Sequence, residues 1–315
     1  MTTVGGELRR RLLTIVFTVL VMLVPAATPV PPARDAHGYG CLAVGAWVGD
    51  EGTVFPAQRF AAANADIGPL TIRRSFDATL PATFDSSAAS GDPAAGVSSF
   101  VSWKPPGGDH GGAAAGAYDR QITAWARSVP TTGVFATAFH EPENDMTAGE
   151  FVAFQRHVYR VVKAANPTIH WGPVYMAYWW DPAEPDHYVG DPQAWWPGDG
   201  FADFVGLDWY GDDPTPMTAS PSFRQWYEVM APTGLPLMIP EYGQSVTRNG
   251  PGGSPALELA RARAITQDAR WIAAHPQLTG WLYWQGFGPR GTDWRLTDPL
   301  SVKAWRAAAS DGCGP

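Results

Sequence analysis

From residue 40 onward, short apolar runs alternate with longer stretches of helical periodicity, the pattern of βα units and a parallel sheet. Eight such runs predict strands over residues 41–48, 70–76, 97–103, 134–139, 169–178, 204–210, 235–239 and 278–284. The clearest helix between them is expected over 148–165, with Thr147 and Glu150 in capping-box spacing before it and Asn166-Pro167 stopping it. A second begins at Ser254-Pro255, with proline at the first helical position, and runs to about residue 274; a third covers 301–309. Eight strands, each followed by a helical or loop crossover, fit a single (β/α)8 TIM barrel, an α/β fold, better than two domains. In that architecture the loops after the strands line one mouth, so chemistry is expected where strands end.

Ahead of the barrel, Arg9, Arg10 and Arg11 precede an apolar run over 12–24, and Pro25-Ala26-Ala27 supplies small residues for cleavage. The pattern predicts an export signal and Pro-rich leader over residues 1–36, a barrel domain over 37–315, and a secreted protein. The run is short for a bilayer span of about 20 residues, and no stop-transfer charges follow it. No stable membrane anchor is therefore expected, an uncleaved anchor being the alternative. The three arginines suit either general or twin-arginine export.

Composition narrows the function classes. With 45% hydrophobic and 17% charged residues, the chain has the material for a large buried core, which excludes disorder as a description of the whole. Lys plus Arg at 22 against Asp plus Glu at 30 gives −8, and no basic run follows the leader, so a nucleic-acid partner is not expected. Fifteen Trp beside 34 Gly and 30 Pro suggest aromatic platforms on a loop-rich scaffold. The two cysteines, Cys41 and Cys313, lie at the two ends of the barrel sequence. In an exported chain they predict one disulfide, two unpaired buried thiols being the alternative. There is no Cys-x-x-Cys, no His-x-x-x-His pair and no Gly-x-Ser-x-Gly, so thiol redox, a metal centre and a serine nucleophile have no anchor. No cofactor is called for. The acidic segment 181–191 reads as a solvated loop rather than a calcium site.

Two strand ends run directly into a glutamate: Ala138-Phe139-His140-Glu141-Pro142-Glu143 at the fourth, and Met238-Ile239-Pro240-Glu241-Tyr242-Gly243 at the seventh. In a barrel these strands face one another across the mouth. Two opposed carboxylates are what glycoside hydrolysis requires, one to protonate the leaving oxygen and one to attack or activate water.

His140-Glu141-Pro142, Asp208-Trp209-Tyr210-Gly211, Glu241-Tyr242-Gly243 and the eighth strand from Trp281 to Trp284 resemble the clan A glycoside hydrolases, most closely glycoside hydrolase family 26. The stretch Ser102-Trp103-Lys104-Pro105-Pro106 with Gly116 to Ile122 resembles that family's third βα unit. The resemblance covers about residues 40 to 310, and His140 points to family 26 because most of the clan carries Asn there. It implies Glu141 as acid/base, Glu241 as nucleophile, Tyr210 as a hydrogen-bond donor to the nucleophile and His140 as a contact to the sugar at the cleavage point. The sequence departs from the family after Pro142, where Glu143-Asn144-Asp145-Met146 replaces Gly and aromatic residues. That leaves the glycan open and makes Glu143 a rival carboxylate, less firmly placed because Pro142 breaks the strand before it.

Supporting groups follow from position. Arg73 or Arg74, ending the second strand, adds a cation near the nucleophile; Arg74 is the one expected at the site, a rim salt bridge being the alternative. Trp103, Trp179, Trp209 and Trp284 fall at or beyond strand ends, where flat rings stack on sugar faces. Adjacent strand residues point to opposite faces, so only one of Trp179 and Trp180 is expected to reach the cleft. Trp284 is the expected floor of the sugar site, with Trp281 in the core. Two functions remain: a secreted retaining hydrolase of β-mannan or β-glucan type, taking a polysaccharide or oligosaccharide as a monomer, and a non-catalytic carbohydrate-binding barrel.

Overall fold

A computed structural model describes residues 41–49, 56–246, 253–288 and 291–312. The leader over 1–36 and Cys313 lie outside the described residues. Among the described residues, no helix is long and apolar enough to cross a membrane.

The strands are β1 (Ala43–Trp47), β2 (Ile72–Asp77), β3 (Ser98–Trp103), β4 (Val134–Ala138), β5 (His170–Trp171), β6 (Val174–Met176), β7 (Val205–Gly211), β8 (Leu237–Gln244) and β9 (Leu278–Trp284). The helices are α1 (Pro56–Ile67), α2 (His110–Ala114), α3 (Asp119–Ser128), α4 (Ala148–Ala165), α5 (Pro221–Met230), α6 (Pro255–Ala274) and α7 (Pro299–Ser310). All strand pairs are parallel, in the order β5-β4-β3-β2-β1-β9-β8-β7-β6. This is the (β/α)8 barrel expected, with its fifth strand broken in two. His170 and Trp171 pair with β4, and after Gly172-Pro173 the chain moves over to pair with β7. A Cβ at Gly172 would lie 2.1 Å from the Phe204 carbonyl oxygen, so only glycine permits that approach.

Two corrections to the predicted boundaries bear on the site. The fifth run does not continue as strand to residue 178, because Ala177–Trp180 form a 3₁₀ turn. The seventh does not end at residue 239 but continues to Gln244, which puts Glu241 inside a strand. The helices match the signals read from sequence. Thr147 and Glu150 form the reciprocal cap of α4, Ser254 accepts from Leu257 N before α6, and Asp298 caps α7 two residues earlier than predicted.

Two apolar layers hold the barrel. Inside, Ile72, Phe100, Phe135, Val174, Phe204, Met238 and Leu282 form one cluster. Strands β4 and β7 are not neighbours, yet the ring of Phe135 on β4 and that of Phe204, the residue just before β7, approach to 5.8 Å, so this layer plugs the lumen. Outside, indoles fill the space between sheet and helices. Trp103 meets Trp125 of α3 at 5.6 Å and Trp171 at 5.5 Å, while Trp281 meets Trp305 of α7 at 4.6 Å. Much of the unusual Trp content is therefore core rather than platform, each buried indole taking a large apolar area out of water.

Candidate active site

The end of β4 is shaped by two non-glycine residues with left-handed backbone, Phe139 (φ 51°) and Glu141 (φ 56°). Such a conformation costs roughly 1–2 kcal/mol per residue and persists only where surroundings over-determine it. Here Phe139 N donates to Trp103 O at 3.1 Å and Glu141 N to Val174 O at 2.9 Å, while the Phe139 ring packs edge-on against Phe154 of α4. Phe135 faces the lumen, so period-two alternation would send Phe139 there too. The left-handed turn instead swings Phe139 toward the helices and leaves His140 facing inward, its Nδ1 2.7 Å from Ser102 Oγ.

Glu241 arrives by a different device. Between β7 and β8 the register runs Gly206↔Met238 and then Asp208↔Glu241, and between β8 and β9 Ile239↔Trp281 and then Tyr242↔Tyr283. Over Met238–Tyr242 strand β8 thus carries one residue more than the facing stretch of each neighbour, a bulge at Ile239-Pro240-Glu241, where proline has no N–H to offer the ladder; β9 has its own extra residue earlier, between Leu278 and Gly280. Met238 belongs to the lumen layer, so strict alternation would point Glu241 outward and Tyr242 inward. The bulge reverses both. Tyr242 packs outside on Trp209 and Trp305, and Glu241 faces the lumen.

There Glu241 accepts two hydrogen bonds, from Tyr210 Oη at 2.6 Å and from Arg74 Nη2 at 3.2 Å. Arg74 is wholly buried, with its guanidinium 4.0 Å from the ring centre of Phe76. Arg73 points the other way and pairs with Asp92 at 2.6 Å, so of the two candidates Arg74 is the one at the site.

One oxygen each of Glu141, Asp208 and Glu241 lie within 4.8 Å of one another. Among the described residues no other trio of carboxylate, imidazole or thiol groups comes as close. Burial, then the charge of Glu241, pushes the Glu141 carboxyl up to about 8. Asp208 is 1% exposed, no donor of another residue reaches either oxygen, and burial, followed by the charge of Glu241, drives it well above the ordinary carboxylate range. Burial, followed by the charge of Glu241, raises Tyr210 well above its usual value, so it remains a donor. Burial, followed by the charges of Arg74 and Lys104, holds His140 well below the usual imidazole value, so its ring is neutral.

Glu143 is directed away from this trio. Its Oε1 accepts from Trp180 Nε1 at 2.8 Å and from Met176 N at 3.2 Å, and burial raises it to about 8. Asn144 accepts from Trp179 Nε1 at 3.0 Å. The turn carrying Glu141 is thereby bonded to the turn after β6 at two successive residues.

The structure separates the expected aromatic contacts. Trp284 is half-buried at the end of β9, stacked at 3.8 Å on Trp47 and 6.0 Å edge-on from Tyr210, beside Glu241. Trp179 is half-buried, its Nε1 bonded to Asn144, while Trp180 is buried, and the 3₁₀ turn that carries both replaces the strand alternation expected for the pair. Trp103 and Trp209 do not reach the mouth. Trp103 is 1% exposed between β3, α3 and β5, and Trp209 stacks on Tyr242. The reason is pleat parity: Ser102 and Tyr210 face the lumen, so Trp103, one residue after the first, and Trp209, one residue before the second, face the helices. Asp208 and Ser102 had no assigned role in the sequence reading, although Asp208 lies two residues before Tyr210 on the same strand face, a spacing that could have found it.

No family profile matches the chain, and no curated protein matches it. Solved structures do. An endo-β-1,3-glucanase of glycoside hydrolase family 128 from Amycolatopsis mediterranei, in complex with laminaripentaose, is 18% identical over 84% of this chain and 98% of its own, at TM-score 0.52. A Cellulomonas fimi endo-β-1,4-mannanase, described with the family 26 mannanases, is 15% identical over 87% of this chain and 71% of its own, at TM-score 0.56. A fungal β-1,4-galactanase is 14% identical over 84% and 93%, at TM-score 0.55. At such identities what the chain shares with them is the (β/α)8 fold.

Proposed function

We propose that the protein is a retaining glycoside hydrolase of β-linked glycans, exported by its leader, in which Glu241 is the nucleophile and Glu141 the acid/base. The observation that carries this reading is the pairing of the two glutamates, with an oxygen of each within 4.8 Å of the other across the mouth. Retaining enzymes place their carboxyls about 5–5.5 Å apart, whereas inverting ones leave about 6.5–9.5 Å for a water.

Their surroundings suit unequal roles. Glu241 is met by a cation and a phenol, both of which favour its charged, nucleophilic form. Glu141, raised to about 8, keeps its proton at neutral pH and delivers it to the departing oxygen as Glu241 attacks the anomeric carbon. Glu141, now a carboxylate, then takes a proton from water, which attacks the glycosyl ester and releases sugar of retained configuration. Neutral His140 offers a hydrogen bond to a sugar hydroxyl, and Trp284 supplies the ring beneath the sugar on the nucleophile side. The similar solved structures are a β-1,3-glucanase, a β-1,4-mannanase and a β-1,4-galactanase, which supports a β-linked glycan as substrate, β-mannan or β-glucan being the first to test.

The test is reducing-sugar release from mannan, mixed-linkage glucan, laminarin, xylan and galactan, followed by aryl glycosides of the responding sugar with Glu141→Ala and Glu241→Ala. Glu141→Ala should lose polysaccharide cleavage, retain glycosylation by substrates with good leaving groups, and be rescued by azide to a product of retained configuration. Glu241→Ala should lose both substrates, with azide giving inverted product. Binding of these glycans without cleavage of any would favour the non-catalytic barrel instead.

A further inference from the structure

Asp208 is a fully buried carboxyl that the double displacement does not use. It stands opposite Glu241 in the β7/β8 ladder, within 4.8 Å of oxygens of both Glu141 and Glu241, and no N–H or O–H of another residue donates to either of its own oxygens, so its hydrogen-bonding neighbour is the Glu241 carboxylate. The groups facing it are those two glutamates, the Tyr210 phenol and the Arg74 guanidinium. Tyr210 spends its one O–H on Glu241, and Arg74 donates through Nη2 to Glu241 and through Nη1 to Ser75 O, with no hydrogen bond to Asp208. A second ionised carboxylate here would be buried, unpaired and beside a like charge, an arrangement proteins avoid by keeping the proton.

We propose that Asp208 is a permanently neutral carboxylic acid and a positioning residue for Glu241, holding the trio at one negative charge throughout turnover. Before attack the charge is on Glu241. In the glycosyl-enzyme Glu241 is esterified and the charge has passed to Glu141, which gave its proton to the leaving group. Arg74, which acts electrostatically on both Glu141 and Asp208, balances one charge in either state. Asp208 keeps its proton in both states and presents an O–H rather than a charge to Glu241. The upward displacement of its ionisation by burial is what this arrangement requires. The kinetic consequences rest on the glycosidase reading; the protonation state does not.

Infrared difference spectroscopy, wild type minus Asp208→Asn, reads the proton directly. The carbonyl-stretch band of a protonated carboxylic acid is expected at pH 7, and its absence overturns the proposal. In kinetics, Asp208→Asn, which mimics the neutral acid in shape and donor capacity, should keep kcat within about threefold of wild type. Asp208→Ala should lose about tenfold or more in kcat with KM little changed, and the acidic limb of its kcat/KM profile should move up by about one pH unit, because Glu241 loses a neighbour that favours its charge. An Asn variant as impaired as the Ala variant would mean that the ionised form is needed, and an unmoved acidic limb in the Ala variant would reduce Asp208 to packing; either result overturns the proposal. If the infrared band is present but no glycan is cleaved, the neutral acid stands and the glycosidase reading fails.

Discussion

Tyr210 donates its phenolic hydrogen to Glu241 over 2.6 Å, from a strand whose register against β8 slips by one residue just before the two meet. A hydrogen bond to a charged group contributes about 1.5–3 kcal/mol, and this one is strongest while Glu241 is ionised. Tyr210→Phe should therefore lower kcat by about 10- to 100-fold with little change in KM and raise the acidic limb of the kcat/KM profile. A pH series on an aryl glycoside checks both.

The Glu141 carboxyl, pushed up to about 8 by burial and then by Glu241, sets the alkaline limb. Activity should hold through neutral pH and fall as the pH rises through about 8, where the general acid loses its proton. With an aryl glycoside whose leaving group needs no proton, that limb should flatten.

The same burial has a cost in stability. Glu141 and Glu143 both rise from 4.5 to about 8 on folding, so between those values the folded state binds more protons than the unfolded one and stability falls as pH rises. Above about pH 8, Glu141→Gln should melt higher than wild type, by at least the ~2–4 °C that 1 kcal/mol produces in a large domain, while activity is lost. The advantage should vanish near pH 4, where both states are protonated. Scanning calorimetry across pH measures it.

Glu143, the rival read from sequence, is an acceptor for Trp180 Nε1 and Met176 N. Glu143→Ala should cost about 1–3 kcal/mol of unfolding free energy, from the buried donors left without a partner, yet stay within a few fold of wild type in kcat/KM on aryl glycosides. Denaturant titration and kinetics on one preparation separate the two effects. A leaving-group dependence in this variant, and none in Glu141→Ala, would exchange their roles.

At the ends of the barrel sequence, a Cβ added at Gly312 would lie 2.7 Å from the Leu42 carbonyl oxygen, which brings the neighbours of Cys41 and Cys313 together. A single disulfide is expected, with no reactive thiol in the denatured, unreduced protein. Closing so long a loop is worth on the order of 4–5 kcal/mol in the chain-entropy model, so reduction should lower the melting temperature markedly.

The sequence alone determined the (β/α)8 barrel, since alternating strand and helix patterns with legible caps at Thr147, Ser254 and Pro255 leave few other ways to bury their apolar faces. It also determined which strand ends carry Glu141, Glu241 and Tyr210, because a carboxylate following an apolar run stands out against the run itself. What only the tertiary structure decided is where side chains point and which of them meet. Period-two parity sends Trp103 and Trp209 to the helices, although in one dimension they look as well placed as Trp284. Parity alone would also have sent Glu241 out; the extra residue in β8 and the left-handed backbone at Phe139 and Glu141 break the alternation, and both are sustained by contacts with neighbouring strands. Asp208 is the clearest case. In sequence it is one more acid in a strand, and it becomes part of the site because closing the barrel buries it, with no donor to its oxygens, beside two other carboxyls, a proximity that no local pattern encodes.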